Sequence, residues 1–284
     1  MIEKENVLII GINSFLGESL ATQLYESNMH IIGVYHKNTS NIKDYVERVH
    51  VSELSQLTQK KIKTIYFVSA YISSNDEDAT LLQTVNVALP AQVSTLFPKT
   101  KIVFASTVSV YGLPEKSPIT ERTETVPLNI YGHSKLAGEH IISNHALYAI
   151  VRISSIFGEG MKKNTFIPKI IEKALEERQI VLFGDGSRMQ NYIHVADVAK
   201  YMILAAAHQD NALFLATSVS SCSNLEVAAI IAEATNATIQ FEGNDDSPSF
   251  EYDNFETRNQ LKYHHKDQIK KELTALIQCY KKQY

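Results

Sequence analysis

Apolar residues gather along the chain in short runs separated by longer amphipathic stretches. Val7-Leu8-Ile9-Ile10 is a continuous β-rich run, and a glycine-containing turn follows it. Leu16, Leu20 and Leu24 then recur every fourth residue, the spacing that stacks side chains on one face of a helix. A second run, Ile31-Ile32-Gly33-Val34-Tyr35, completes a strand, helix, strand unit. Further strands are expected at 64–68, 102–105, 148–153 and 180–183, with helical stretches between most of them. Near-continuous apolar strands alternating with helices predict an α/β fold, a Rossmann-like, doubly wound parallel sheet covered on both faces. Two stretches break the rhythm. Residues 112–130 hold Gly112, Pro114, Pro118 and Pro127 among polar residues, and 243–254 is acidic and turn-rich. Long loops of this kind are often functional in a compact domain.

Composition changes the picture mainly by exclusion. With 284 residues, 44% hydrophobic and 20% charged, the chain can bury a core and has room for about two domains or one large extended one. A net charge of −4, with no basic stripe, argues against nucleic-acid binding. The longest helical apolar stretch, Tyr201–Ala207, falls far short of the ~18 residues of a membrane span. Cys222 and Cys279 match neither a metal-ligand spacing nor a disulfide framework, so no metal is expected. The N-terminus, MIEKEN, lacks the basic start of a signal peptide, and a cytoplasmic location is the expectation.

The turn after the first strand reads Gly11-Ile12-Asn13-Ser14-Phe15-Leu16-Gly17 and opens a helix. In a dinucleotide fold the first glycine makes the turn, the middle one admits the pyrophosphate and the last lets helix and strand pack closely. Backbone N–H groups at the helix start then meet the anion. Ser14 stands in the middle place, where its hydroxyl is expected to add a donor; a plain strand-to-helix turn is the competing reading. An acidic residue about 24 positions after the first glycine would grip a ribose 2′-hydroxyl. The count from Gly11 arrives instead at Tyr35, followed by His36 and Lys37. A lysine there suits a 2′-phosphate, so NADP(H) is favoured with NAD(H) as the alternative. The other reading of His36 and Lys37 is a solvated loop.

A single Tyr-x-x-x-Lys occurs, Tyr131 to Lys135. It opens a helix after the long loop, where side chains at i and i+4 share a face. Upstream, the strand at 102–105 runs into Ser106-Thr107-Val108-Ser109-Val110-Tyr111-Gly112 and places hydroxyls at a strand's C-terminal end, where open α/β sheets bind ligands. Lowering a phenol from ~10 to about 7 takes roughly 4 kcal/mol, and one ammonium about 4 Å away supplies that at an effective dielectric of ~20. Lys135, aided by an oxidised nicotinamide, is thus expected to poise Tyr131 for proton transfer while the Thr107 hydroxyl orients the reacting oxygen.

With these motifs the chain resembles the extended short-chain dehydrogenase/reductase family, the nucleotide-sugar epimerases, dehydratases and reductases. Asn86 in Val-Asn-Val, Arg152 to Gly158, and Gly184-Asp185-Gly186 through His194-Val195-Ala196-Asp197-Val198 also fit, so the resemblance covers almost the whole chain. It implies Thr107, Tyr131 and Lys135 as the catalytic residues, with Lys135 on the nicotinamide ribose. It implies cofactor contacts at Gly11, Asn13, Ser14, Phe15, Leu16, Gly17, Tyr35, His36, Lys37, Ser69, Ala70 and Asn86, and substrate contacts at Ser109, Phe166 and Arg188. The motif positions divide the chain into a cofactor domain over 1–160, rejoined by about 182–216, and a small interleaved C-terminal substrate-binding cap from 161–181 and 217–284. A homodimer is implied through helices near 80–96 and 131–145. Thr107-Val108-Ser109 replaces the Thr-Asp-Glu of the dehydratases, which disfavours dehydration. Arg188 stands two places before the family's phosphate-binding arginine. The missing acidic ribose ligand and the small cap favour an NADPH-dependent 4-keto reductase of a nucleotide sugar. The alternatives are a 4-epimerase with tightly bound NAD and a non-catalytic dinucleotide sensor.

Overall fold

In the computed structural model, which describes residues 4–73, 78–266 and 268–282, the first strand, helix, strand unit is β1 (Asn6–Ile10), α1 (Phe15–Glu26) and β2 (His30–Tyr35). Met1 to Glu3, part of the N-terminal reading above, lie outside the described residues. The chain continues through β3 (Val46–His50), a 3-10 segment (Val51–Gln59), β4 (Ile62–Phe67), α2 (Ala79–Leu82), a π-helical turn (Gln83–Ala88) and α3 (Leu89–Leu96). Next come β5 (Lys101–Thr107), α4 (Ile130–Ser143), β6 (Tyr148–Ile153), β7 (Ser155–Phe157), α5 (Phe166–Glu176) and β8 (Gln179–Phe183). The remainder holds β9 (Met189–Gln190), β10 (Tyr192–His194), α6 (Val195–Ala207), β11 (Ala212–Ala216) and β12 (Cys222–Ser223). It ends with α7 (Asn224–Thr235), β13 (Thr238–Glu242), α8 (Phe255–Leu261) and α9 (Ile269–Lys281).

Seven strands pair in the order β11-β6-β5-β4-β1-β2-β3, every neighbouring pair parallel. The expected doubly wound parallel sheet is therefore present. Its apolar runs follow from double coverage: α1 and α6 pack on one face, with Leu16, Leu20 and Leu24 against the sheet, and the 3-10 segment, α3 and α4 on the other. The winding direction reverses between β1 and β4, which leaves a crevice beyond their C-terminal ends.

Strand β8 departs from the expectation that it extends the main sheet. It pairs in parallel with β13 and belongs to a second hydrophobic core built by α5, α7 and α9. The two breaker-rich loops meet each other. The Ile119 N–H donates to the Glu251 carbonyl and the Asp253 N–H to the Ile119 carbonyl, both at 2.8 Å. Ile119 is buried with Val110, Tyr111 and Leu215, beside Phe250 and Tyr252. The Glu121 carboxylate accepts the Thr257 hydroxyl at 2.5 Å, and Arg122 pairs with Glu256 at 3.1 Å. One apolar residue in a polar loop thus anchors a clasp. Among the described residues no helix is long and apolar enough to cross a membrane.

Candidate active site

At the end of β1, Gly11 has φ +93°, and a Cβ there would lie 2.7 Å from the Ser69 backbone in the segment after β4. A Cβ on Gly17 would lie 2.4 Å from the Gly11 carbonyl oxygen. Both glycines are dictated by close backbone approach, and the backbone of Ser69 lies against the turn. Ser14 is the N-cap of α1, its Oγ accepting the Gly17 N–H at 3.0 Å. The middle residue of the fingerprint is therefore an inward-facing acceptor rather than only an added donor. Leu16 is buried in the sheet core and Phe15 packs against it, so what they can offer an anion is the backbone of the first turn. Asn13 ties the turn to the loop after β2, its Nδ2 donating to the Asn38 carbonyl at 3.1 Å.

That loop carries the adenosine-side candidates. The Tyr35 ring meets His50 edge-on, with centroids 5.5 Å apart, and the His36 ring lies 6.0 Å from the same imidazole. His50 Nε2 donates to the His36 carbonyl at 2.8 Å. Lys37 is exposed on this held-down loop, and its geometry gives the NADP(H) preference no support.

Thr107 ends β5, while Tyr131 and Lys135 lie in the first two turns of α4, which Asn129 caps through the Gly132 N–H at 2.8 Å. Burial pushes the pKa of the Tyr131 hydroxyl up to about 12, and the neighbouring Thr107 hydroxyl pulls it back. Thr107 Oγ1 also donates to Ser109 Oγ and accepts the Ser109 N–H, both at 3.2 Å. Lys135 is 1% exposed, its Nζ 4.1 Å from the Phe104 ring centroid and without a hydrogen-bond partner among the described residues. Burial draws its pKa down to about 7, against the opposing field of Glu139. The expected direct action of the Lys135 ammonium on the Tyr131 phenol is not what this geometry shows: Lys135 rests on Phe104, and the side chain that lowers the phenol's pKa is Thr107.

Asn86 sits in the π-helical turn and is fully buried. It accepts the Tyr71 N–H and donates to the Tyr71 carbonyl and to Ser134 Oγ, each at 2.9 Å. It therefore joins the Ser69–Ala70 segment to the helix of Tyr131, and Ala70 itself is exposed. The orphaned, buried Lys135 Nζ and the glycine cradle at Gly11 and Gly17 fit a dinucleotide lying in the crevice between β1 and β4.

On the substrate side, a cleft of about 250 Å³ is lined by Ser109, Ser155, Arg188, Asn191 and Tyr252. A second, of about 900 Å³, is lined by Phe166, Lys173, Arg188 and Asn224. Arg188 stands at both, its Nε donating to the Pro248 carbonyl at 3.3 Å. Sequence reasoning missed Asn191, which is 3% exposed and accepts from Ser154 Oγ and the Ser218 N–H at 2.8 Å. It also missed Glu139, although a carboxylate four residues after Lys135 was a readable signal. Elsewhere, His194, Asp197 and Glu272 bring ligand atoms within 4.8 Å of one another. Tyr263 donates to Asp197 at 2.7 Å and the Ala196 N–H to His194 Nδ1 at 3.3 Å, so two of the three already serve the fold's own bonds.

The sequence matches the model of the NAD dependent epimerase/dehydratase family over residues 7–214. A putative UDP-glucose 4-epimerase of Methanocaldococcus jannaschii is 27% identical over 243 residues, 77% of this chain and 79% of that protein. The UDP-glucose 4-epimerase of Azospirillum brasilense is 35% identical over 129 residues, which span 38% of this chain and only 37% of that protein. Among solved structures, UDP-glucuronic acid 4-epimerase of Bacillus cereus, in complex with UDP-glucuronic acid and NAD, superposes with a TM-score of 0.86 at 21% identity. That match covers 98% of this chain and 100% of that one. UDP-glucose 4-epimerase of Thermotoga maritima with UDP-glucose gives 0.88 at 18% identity, over 98% and 99%. These likenesses establish the fold. They also remove one expectation, because a cap of this size is matched throughout in epimerase structures and so does not favour a reductase.

Proposed function

The chain belongs to the NAD dependent epimerase/dehydratase family, and from that premise we propose that it is a nucleotide-sugar 4-epimerase, acting on UDP-hexoses with NAD held in the crevice beyond β1 and β4. The observation that carries the reading is that the Thr107 hydroxyl ending β5 neighbours the Tyr131 hydroxyl, with Lys135 one turn along α4, its Nζ buried and unpaired among the described residues. The names of the matching relatives favour epimerisation over the 4-keto reduction expected above. The matched structures of the Bacillus cereus UDP-glucuronic acid 4-epimerase carry NAD, which supports NAD over NADP(H) here.

When bound, NAD supplies two-electron redox chemistry at C4 of the sugar. Tyr131 takes the proton of the C4 hydroxyl and later returns it, while Thr107 holds the phenol and the sugar oxygen in line. With the phenol pushed up to about 12 by burial, proton abstraction at neutral pH requires positive charge to be brought to it. Lys135, once it leaves Phe104 for the crevice, supplies that charge. Arg188 faces both clefts, so the diphosphate is placed at its guanidinium, with the hexose toward Ser109 and the nucleoside toward Phe166. The second core, built by α5, β8, α7, β13 and α9, forms the substrate cap in this reading.

The test is incubation of the purified full chain with UDP-glucose and no added nicotinamide, followed by chromatography for the 4-epimer and assay of protein-bound NAD after denaturation. Epimer formation with substoichiometric NAD is the expected result. No epimer, together with stoichiometric NADPH consumption on a 4-keto sugar, would overturn the proposal in favour of reduction.

A further inference from the structure

One turn beyond Lys135, helix α4 carries a carboxylate that the proposed chemistry leaves unused. Glu139 is 3% exposed, and its partner Arg152, next to last in the apolar strand β6, is 6% exposed. A buried ion pair is often no more stabilising than two well-packed apolar residues, so stability alone does not account for it. Arg152 grips both carboxylate oxygens, Nε to Oε1 at 3.0 Å and Nη2 to Oε2 at 2.7 Å. The hydroxyl of Ser106, next to Thr107, donates to Oε1 at 2.5 Å. Behind it, the guanidinium lies 4.7 Å from the Tyr111 ring centroid.

These donors decide what Lys135 can do. At i,i+4 spacing an ammonium and a carboxylate on one helix face would ordinarily pair. Here Arg152 and Ser106 hold the carboxylate, and Lys135 Nζ sits on Phe104 instead, with no hydrogen bond among the described residues. Gly138 makes room for that ring; a Cβ there would lie 2.8 Å from Phe104 Cζ. The charged and titratable groups around Lys135 are Tyr131 and Glu139 on α4, Arg152 from β6 and Tyr111 after β5. The π-helical turn packed on α4 offers Asn86 and no charge.

We infer that Glu139 is a positioning residue for the reaction: clamped by Arg152 and Ser106, it keeps the buried Lys135 side chain an ammonium through space while leaving Nζ free to turn into the cofactor crevice. The clamp separates two effects that a contact ion pair would merge. The negative charge offsets the burial of the ammonium, and the occupied oxygens prevent its capture. The inference rests on the dinucleotide reading given above.

The test compares the full-length wild type with Glu139→Gln, Arg152→Met and Ser106→Ala, measuring the dissociation constant of NADH by fluorescence titration and kcat for epimerisation across pH. Affinity that depends on the ammonium is full at low pH and is lost as pH rises through the Lys135 pKa. Glu139→Gln is expected to move the midpoint of that loss toward acid by about one unit or more. Arg152→Met is expected to move it the opposite way and to weaken NADH at low pH several-fold, because the released carboxylate then captures Nζ. Ser106→Ala removes a neutral tie and leaves the midpoint in place. If a single variant fails to fold, the E139Q/R152M chain, which leaves neither member of the pair as an uncompensated charge, must still show the acid-ward midpoint, and Glu139→Asp must restore the wild-type one. Coincident midpoints in all variants, with affinity lowered evenly, would show a merely structural pair and overturn the inference alone. A wild-type chain that binds NADH at no pH overturns the dinucleotide reading, and this inference with it.

Discussion

Substituting Asn86 by Leu keeps the side-chain shape nearly unchanged and deletes three hydrogen bonds, each of 2.9 Å, in a fully buried position. The losses are unequal. Ser134 keeps a bond, since its hydroxyl donates to the Tyr131 carbonyl at 2.8 Å. The Tyr71 N–H and carbonyl lose theirs, and each unsatisfied buried group costs about 1–3 kcal/mol. Tyr71 is half-buried, so water reaches part of the gap and the low end applies, about 2–3 kcal/mol in all. For a chain of this size that lowers the melting temperature by roughly 3–5 °C. The functional effect follows from position, because Tyr71 lies two residues beyond Ser69, whose backbone packs against Gly11. Loosening this segment is expected to weaken NADH about tenfold, equivalent to ~1.4 kcal/mol. Thermal unfolding with and without saturating NADH reads both quantities, since ligand stabilisation scales as RT ln(1 + [L]/Kd). A change below about 1 kcal/mol, with an undiminished NADH-induced shift, would refute the role given to Asn86.

Two further outcomes are expected. Tyr131→Phe should abolish epimerisation while leaving NADH affinity within a few-fold of wild type, by parallel turnover and fluorescence assays; appreciable turnover would remove Tyr131 from the chemistry. Gly17→Ala forces a Cβ to within 2.4 Å of the Gly11 carbonyl and 2.8 Å of that of Ile12. Both atoms are backbone and cannot yield cheaply, so a cost of about 1–3 kcal/mol and at least a tenfold loss of NADH affinity are expected, measured by urea unfolding and titration.

How much of this was readable from the chain depended on whether the determinant was local. The β1–α1–β2 unit was legible because period-four leucines and a continuous apolar strand leave few alternatives. Strand β8 was recognised as a strand but assigned to the wrong sheet, since an apolar run does not name its partner. That partner, β13, is largely exposed, and its alternation rests on only two apolar residues, Ile239 and Phe241. The edge strand β3, Val-Glu-Arg-Val-His, was too short and polar to register. In the site, the Tyr131–Lys135 spacing and the hydroxyls ending β5 were visible, whereas the direction of Lys135 was not, because its position is set by Phe104, Gly138 and a carboxylate already claimed by Arg152. Arg152 itself was a signal in plain view, a charge inside Tyr-Ala-Ile-Val-Arg-Ile. The Lys37 argument finds no support for the converse reason: a charge on a loop says little until the loop's own anchors are known.

The clasp between the loop at Ile119 and the segment running from Glu251 to Thr257 has a meaning in time as well as in space. Its Arg122–Glu256 ion pair joins positions 134 residues apart, a stretch the ribosome needs roughly 7–27 s to synthesise. Gly11, Thr107, Tyr131 and Lys135 have all been made long before the second half of the clasp exists. The turn at Gly11 and the helix of Tyr131 and Lys135 are therefore synthesised before the segment that closes the clasp over Val110 and Tyr111.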